Sequence, residues 1–155
     1  FLEQMNASLL MARRQHSRFA LLYLDLDHFK EINDNLGHAA GDALLMETAQ
    51  RLRHCLRASD LLARQGGDEF MALLHDMVGM NEALAVAEKI RRAVGAPILL
   101  EGREARVSVS IGIALYPDHG TDLDSLSRHA DAAMYRDKSN RRNGASAAVI
   151  RRTGQ

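Results

Sequence analysis

Apolar positions along this chain follow two periods, one helical and one extended. Over residues 1–17, Met5, Leu9, Ala12 and His16 are spaced for one helical face. Phe19 to Leu24 is a nearly unbroken apolar run, the pattern of a central strand covered on both faces. It runs straight into Asp25-Leu26-Asp27. The two-residue strand period puts Asp25 and Asp27 on one side if the strand reaches them. Asp27 is equally placed to cap a helix from His28 to Asn35, which Gly37 would end. Leu45, Ala49, Leu52 and Leu56 predict a further helix from about Gly41-Asp42, with Asp42 as an acidic cap.

The second half continues in the same alternation. Residues 61–74 read as a hairpin: two short apolar runs flank Gly66-Gly67, and glycine accepts the positive φ of a tight turn. Asp68 and Glu69 then fall at or just past its tip. A helix is predicted from Glu82 to Val94, opened by Asn81 and closed before Pro97. Ile98 to Ala105 reads as a short strand and turn. In residues 106–115, Val107, Val109, Ile111, Ile113 and Leu115 alternate with small or polar residues, as in a strand with one apolar face. A loop at 116–120 leads to a last helix over 123–139, with Leu126, Ala130, Ala133 and Asp137 on one face. Residues 147–150 form a candidate final strand, and 151–155 a polar tail. Helices and hairpins mix without strict βαβ alternation. The class is therefore α+β, a mostly antiparallel sheet covered by helices.

Composition narrows the field. At 155 residues, 46% hydrophobic and 26% charged, the chain reads as one soluble globular domain over 1–150. Twenty basic residues balance twenty acidic ones, so no basic field points to a nucleic-acid polymer. Apolar runs are far shorter than the ~18 residues of a membrane span, and no signal peptide is visible. The chain begins at Phe1 and is read as a piece of a longer protein. Its single cysteine, Cys55, is expected to be a buried helix residue.

Candidate chemistry centres on acids. Asp25 ends a central strand, and Asp68 and Glu69 lie at a hairpin; if the two are neighbours, three carboxylates converge at one sheet edge. Few carboxylates completed by water and phosphates suit Mg²⁺ or Mn²⁺, which serve phosphoryl and nucleotidyl transfer. The helix starting near His28 directs its free N–H groups to the same region, where they can bind phosphate, with Lys30 adding charge. Lys138 and Arg142 supply a basic cluster after the last helix. The seven histidines show no zinc-type spacing with cysteine, and there is no Gly-x-Ser-x-Gly or Walker-type loop.

Taken together, these stretches resemble the GGDEF family, the diguanylate cyclases. Gly66-Gly67-Asp68-Glu69-Phe70 is similar to the family signature. Asp25-Leu26-Asp27-His28-Phe29-Lys30-Glu31-Ile32-Asn33-Asp34 resembles its first-strand motif and Gly37-His38-Ala39-Ala40-Gly41-Asp42 the next. Ser110 to Ala114, Ala130 to Tyr135 and Lys138-x-x-x-Arg142-Asn143 follow in the family's order. The resemblance covers nearly the whole chain. It implies a palm-like fold, a five-stranded, mostly antiparallel sheet wrapped by helices, that joins two GTP into cyclic di-3′,5′-GMP with release of two pyrophosphates.

By position, the resemblance makes Asp25, the carbonyl of Leu26 and Asp68 the metal ligands. Asp68 also helps deprotonate the 3′-hydroxyl, and Glu69 shares the acidic edge. Asn33 and Asp42 match the guanine-reading pair, an amide and a carboxylate suited to that base edge. His28, Phe29 and Lys30 match the phosphate cradle, and Lys138 and Arg142 the distal phosphates. Gly66 and Gly67 leave room for the nucleotide. Arg57-Ala58-Ser59-Asp60 resembles an RxxD site where cyclic di-GMP inhibits. Lys89 occupies the place of a supporting arginine, and lysine lacks the planar fork, so inhibition is expected to be weakened.

The implied partners are GTP, the cyclic product, a second domain in a homodimer, and flanking sensor or effector domains. The implied location is cytoplasmic, without membrane contact by this domain. The family's lead-in segment is expected before Phe1. Two functions stay open: an active cyclase, or a non-catalytic GTP- or cyclic di-GMP-binding module controlling an attached domain such as a phosphodiesterase. A merely structural domain would need every spacing to be coincidence.

Overall fold

The structure is a computed structural model that describes residues 1–143 and 149–152, with side chains described as far as residue 141. Strand β1 (Phe19–Leu26) is central, as its unbroken apolar run requires. It pairs antiparallel with β3 (Glu69–Leu74) on one side and β6 (Val109–Tyr116) on the other. Strand β2 (Leu61–Gly66) adds outside β3, giving the order β2-β3-β1-β6. The hairpin β2-β3 thus lies beside the strand that ends in Asp25, as the convergence of acids required.

A second, small sheet joins β4 (Ile98–Leu100), β5 (Arg103–Arg106) and β7 (Val149–Arg152), all antiparallel. The α+β class and the antiparallel sheet hold. The described strands divide four to the main sheet and three to the small one, where the resemblance implies five in one sheet. β7 runs two residues into the stretch read as a polar tail, pairing Arg151 with Glu104.

The two faces of the main sheet carry separate cores, because side chains alternate along each strand. Leu22, Leu24, Phe70 and Ile111 pack under α3 (His38–Cys55) and α4 (Met80–Gly95). Phe19, Leu21, Leu73 and Ala114 pack under α1 (Leu2–Gln15) and α5 (Leu123–Asn143). On β6 the face expected to be small or polar is buried as well. A side chain at Gly112 would collide with the carbonyl oxygen of Ala130 and the amide nitrogen of Met134, so α5 lies directly on the strand there.

Several local expectations change. His16 is not on the buried face of α1; it is the left-handed C-cap. Asp42 does not cap α3, which begins four residues earlier after Gly37. Asn81 does not open α4, because Gly79 precedes its first turn. Asp27 caps nothing: it is buried, and it accepts from Ser108 Oγ and Ser110 Oγ, each at 2.6 Å. Cys55 is buried as expected, and burial pushes its thiol up from the ordinary value.

Candidate active site

Strand β1 ends beneath the tip of the β2-β3 hairpin. The N–H of Leu26 donates to the carbonyl of Asp68 at 3.1 Å, and Asp25 faces Glu69 in register. Gly67, with φ of +50°, and Asp68 form the turn itself, closed by Arg64 Nε donating to the carbonyl of Gly67 at 3.0 Å. Asp25 points to the α5 side of the sheet, since it shares parity with Phe19 and Leu21. From α5, Lys138 Nζ reaches Asp25 Oδ2 at 2.6 Å.

Asp25 is buried, and its other oxygen, Oδ1, has no hydrogen-bond partner among the described residues while Asp68 is ionised; a protonated Asp68 can donate to Asp25. Asp68 stands half-buried beside it. Burial, and then the charge of Asp25, push the Asp68 carboxyl up to about 6, against the opposing pull of Lys138. Two acids therefore share one water-poor corner with one cation.

The corner opens into a cleft of about 530 Å³. Leu26, His28, Phe29, Lys30 and Glu31 line one side, Asp68 the hairpin side, and Lys138 and Arg141 the α5 side. Helix α2 (Phe29–Leu36) starts at the cleft with no side-chain cap on its N-terminus, so its first N–H groups are free for an anion. His28 holds a left-handed φ of 62° there and pairs with Glu31 at 3.2 Å.

Residues 1–144 match the family described as Diguanylate cyclase, GGDEF domain. The chain belongs to the GGDEF family. It is 44% identical over 142 residues to the bifunctional diguanylate cyclase/cyclic di-GMP phosphodiesterase MucR of Pseudomonas aeruginosa, covering 92% of this chain and 21% of MucR. It is 48% identical over 125 residues to the diguanylate cyclase TpbB of the same species, covering 80% of this chain and 29% of TpbB. A solved structure comprising only the GGDEF domain of TpbB matches with a TM-score of 0.87 at 45% identity, over 89% of this chain and 81% of that one. The GGDEF domain of DgcB from Caulobacter crescentus, solved in complex with c-di-GMP, matches with a TM-score of 0.81 at 26% identity, over 89% and 82%. The chain thus spans less than a third of MucR and of TpbB.

Within this GGDEF domain the sequence-based site divides. Asp68, His28, Phe29, Lys30 and Lys138 line the cleft, and buried Asp25 joins them through Lys138. Glu69 is exposed at the start of β3, opposite Asp25 in register. Among the described residues no group of three or more His, Cys, Asp or Glu is arranged to hold a metal, so the three-carboxylate convergence reduces to the Asp25–Asp68 pair. That pair still fits a hard divalent cation: a buried, orphaned carboxylate oxygen stands beside a second carboxylate, and Mg²⁺ needs only one or two carboxylates with phosphates and water.

Asn33 and Gly41 are neighbours across the junction of α2 and α3, and Asp42 follows Gly41 in the chain. A side chain at Gly41 would overlap Asn33 Oδ1, so the missing Cβ is what seats the amide. Asp42 faces a second cleft with Met46, Arg64 and Phe70. Gly66 and Gly67 have open space where a Cβ would sit. α5 runs to Asn143, so Lys138 and Arg142 lie within the last helix and not after it; the side chain of Arg142 lies outside the described residues, and Arg141 also lines the cleft. Helical spacing pointed to it, since Arg141 is three residues past Lys138 and shares its face.

The RxxD turn is a closed local unit. Asp60, with its side chain 4% exposed, accepts from the Arg57 N–H at 3.0 Å and the His75 N–H at 3.1 Å. The Arg57 guanidinium, 51% exposed, donates to the carbonyl of His75. Lys89 is exposed on α4, and its carbonyl accepts from the Cys55 thiol. Among the described residues no helix is long and apolar enough to cross a membrane.

Proposed function

We propose that this domain is a diguanylate cyclase, condensing its GTP with one held by a facing copy into cyclic di-3′,5′-GMP and two pyrophosphates. The observation that carries the reading is Asp68 in the lining of a cleft that an open helix N-terminus and Lys138 also line, with buried Asp25 beside it, held by Lys138 and carrying one orphaned oxygen. Asp25, Asp68 and the carbonyl of Leu26 would hold Mg²⁺ or Mn²⁺, which when bound offsets phosphate charge and polarises the reacting phosphorus.

The chain's own residues divide the remaining work. The first-turn N–H groups of α2, with His28, Phe29 and Lys30, hold phosphates. Lys138 and Arg142 hold the distal ones, Gly66 and Gly67 leave room for the nucleotide, and Asn33 and Asp42 read guanine. As the 3′-oxygen bonds to the α-phosphorus of the facing nucleotide, the bond to pyrophosphate breaks and Asp68 takes the hydroxyl proton. In the metal-free protein burial and the Asp25 charge push this carboxyl up to about 6, and a bound cation would lower it again, keeping it ionised to take the proton. Glu69 serves the same acidic edge. Two facing domains supply proximity, so a homodimer is required.

The exposed Arg57 guanidinium, with Asp60 and Lys89, forms a product-inhibition site weakened by the lysine. The domain spans 1–150 and works in the cytoplasm, joined to sensor or effector domains in the full-length protein.

Product analysis with GTP and Mg²⁺ over a range of protein concentrations tests this. The expected result is cyclic di-GMP formed at a rate rising faster than linearly with protein. No cyclic product from the full-length protein under activating conditions overturns it. A second reading has support in the relative NbdA of Pseudomonas aeruginosa, 41% identical over 126 residues and named a cyclic di-GMP phosphodiesterase alone. In that reading the domain binds GTP or cyclic di-GMP without turnover and tunes an attached hydrolase. Binding without product would favour it, and Asp68→Ala leaving the partner's output unchanged would count against a metal-dependent role in it.

A further inference from the structure

Behind the cleft, one carboxylate joins three elements. Asp137 Oδ2 on α5 accepts from the backbone N–H of Ile111 at 2.8 Å, from Arg91 Nη2 at 2.9 Å and from Arg141 Nε at 3.4 Å. Arg91 comes from α4. Ile111 lies on β6, the last strand of the main sheet, and faces Leu24 of β1 in register. Among the described residues no strand of the sheet lies beyond β6, so the carboxylate satisfies an edge N–H that no described strand takes. Burial alone would raise the Asp137 carboxyl, but the Ile111 N–H and Arg91 hold it below the ordinary carboxylate value.

Lys138 is the next residue. Neighbouring helical residues are turned about 100° apart, so a helix that turns Asp137 to β6 and α4 turns Lys138 to the end of β1. There it meets Asp25. One level earlier, α5 already rests on β6 at Gly112 through Ala130 and Met134. That contact sets its distance from the sheet. The next turn carries Lys138 and Arg141, and there Asp137 bonds the helix to the sheet.

We propose that Asp137 is a positioning residue: by clasping Ile111 and Arg91 it fixes the last turns of α5 and so delivers Lys138 to Asp25 at the cleft. The inference rests on reading the cleft as the GTP site, and its first readout is independent of turnover. A clasp that contributed only stability would leave Lys138 where it is.

Trace acetylation of the intact chain, read by peptide mass spectrometry, compares Lys138 with exposed Lys30. In the unmodified protein Lys138 is expected to react slowly. Asp137→Ala is expected to raise its labelling several-fold with Lys30 unchanged. Asp137→Asn, which keeps an oxygen for the Ile111 N–H, should restore much of the protection. Arg91→Gln leaves the carboxylate on β6 and should give an intermediate rise; it carries the test if Asp137→Ala does not fold. Unchanged Lys138 labelling in a folded variant overturns the inference, whatever the cleft binds. In the cyclase assay, Asp137→Ala should raise KM for GTP several-fold more than it lowers kcat, with Asp137→Asn closer to the parent. A parent protein that makes no product refutes the cyclase reading, and the labelling of Lys138 still decides whether Asp137 positions it.

Discussion

Lys138 Nζ sits 2.6 Å from Asp25 Oδ2, across 113 residues of sequence, and Asp25 Oδ1 remains buried without a partner among the described residues while Asp68 is ionised. The pair is three-quarters or more removed from solvent, so breaking it leaves an uncompensated buried charge. Lys138→Met is expected to destabilise the metal-free protein by about 1–2 kcal/mol. Adding Asp25→Asn in the same chain should recover most of that loss. A double-mutant cycle by urea denaturation checks it, and additive effects would show that the pair is not coupled.

Asp68 gives a pH dependence with a definite sign. Its folded pKa is raised from 3.8 to about 6. Between those values the folded state holds a proton the unfolded chain has lost, so stability falls as pH rises through that window. The loss is complete above it. Asp68→Asn removes the charge and should stabilise the metal-free protein near neutral pH by roughly 1 kcal/mol, discounted for solvent screening. The gain should vanish below about pH 4. Turnover should be abolished throughout. Equal denaturation midpoints for parent and variant near neutral pH would refute the assignment.

Gly41 is a seat for Asn33. Gly41→Ala places a methyl group where Asn33 Oδ1 lies, and the amide must move. If Asn33 reads guanine, KM for GTP should rise about tenfold or more, a loss of about 1.4 kcal/mol in binding, with kcat changed less. Parallel measurements with inosine triphosphate should show a smaller penalty, because the exocyclic amine is absent. An equal penalty for both nucleotides would point to a backbone shift instead.

Gly112 is where α5 meets the sheet. Gly112→Val would drive side-chain atoms into the backbone of Ala130 and Met134. The expected cost is about 3 kcal/mol or more, read as a lower thermal midpoint. A neutral result would mean that α5 can slide on β6.

Arg57 and Asp60 should behave differently despite sharing one motif. Asp60 is buried and accepts two backbone N–H groups, so Asp60→Ala should destabilise by about 1–3 kcal/mol. Arg57 is half exposed, and Arg57→Ala should cost under about 1 kcal/mol while abolishing cyclic di-GMP binding. Calorimetric titration with cyclic di-GMP checks the second half. Undiminished binding by Arg57→Ala would remove the inhibitory-site assignment.

Much of the fold was legible from local periodicity. The central strand, the hairpin and every described helix are legible, because each carries an apolar stripe or run long enough to outweigh local noise. Ends were read less well. Asp42, Asn81 and Asp27 all looked like caps, since short polar side chains near a helix start usually are. The chain uses glycines 37 and 79 at those starts, and it commits Asp27 to two serines of a distant segment.

The site followed the same division. Sequence alone determined the residue types, their order and the family, and hence which acids and bases belong to the chemistry. Those follow from motif spacing and survive any error in element boundaries. Tertiary structure decided which of them meet. It joined Asp25 to Asp68, reduced the expected three acids to two, added Arg141 to the described cleft residues, and enlisted Asp137 and Arg91, which no motif marked. The reason is physical: spacing along a chain reports the face of a strand or helix, but the partner across that face is set by packing at contacts such as Gly112 against Ala130, between residues far apart in sequence.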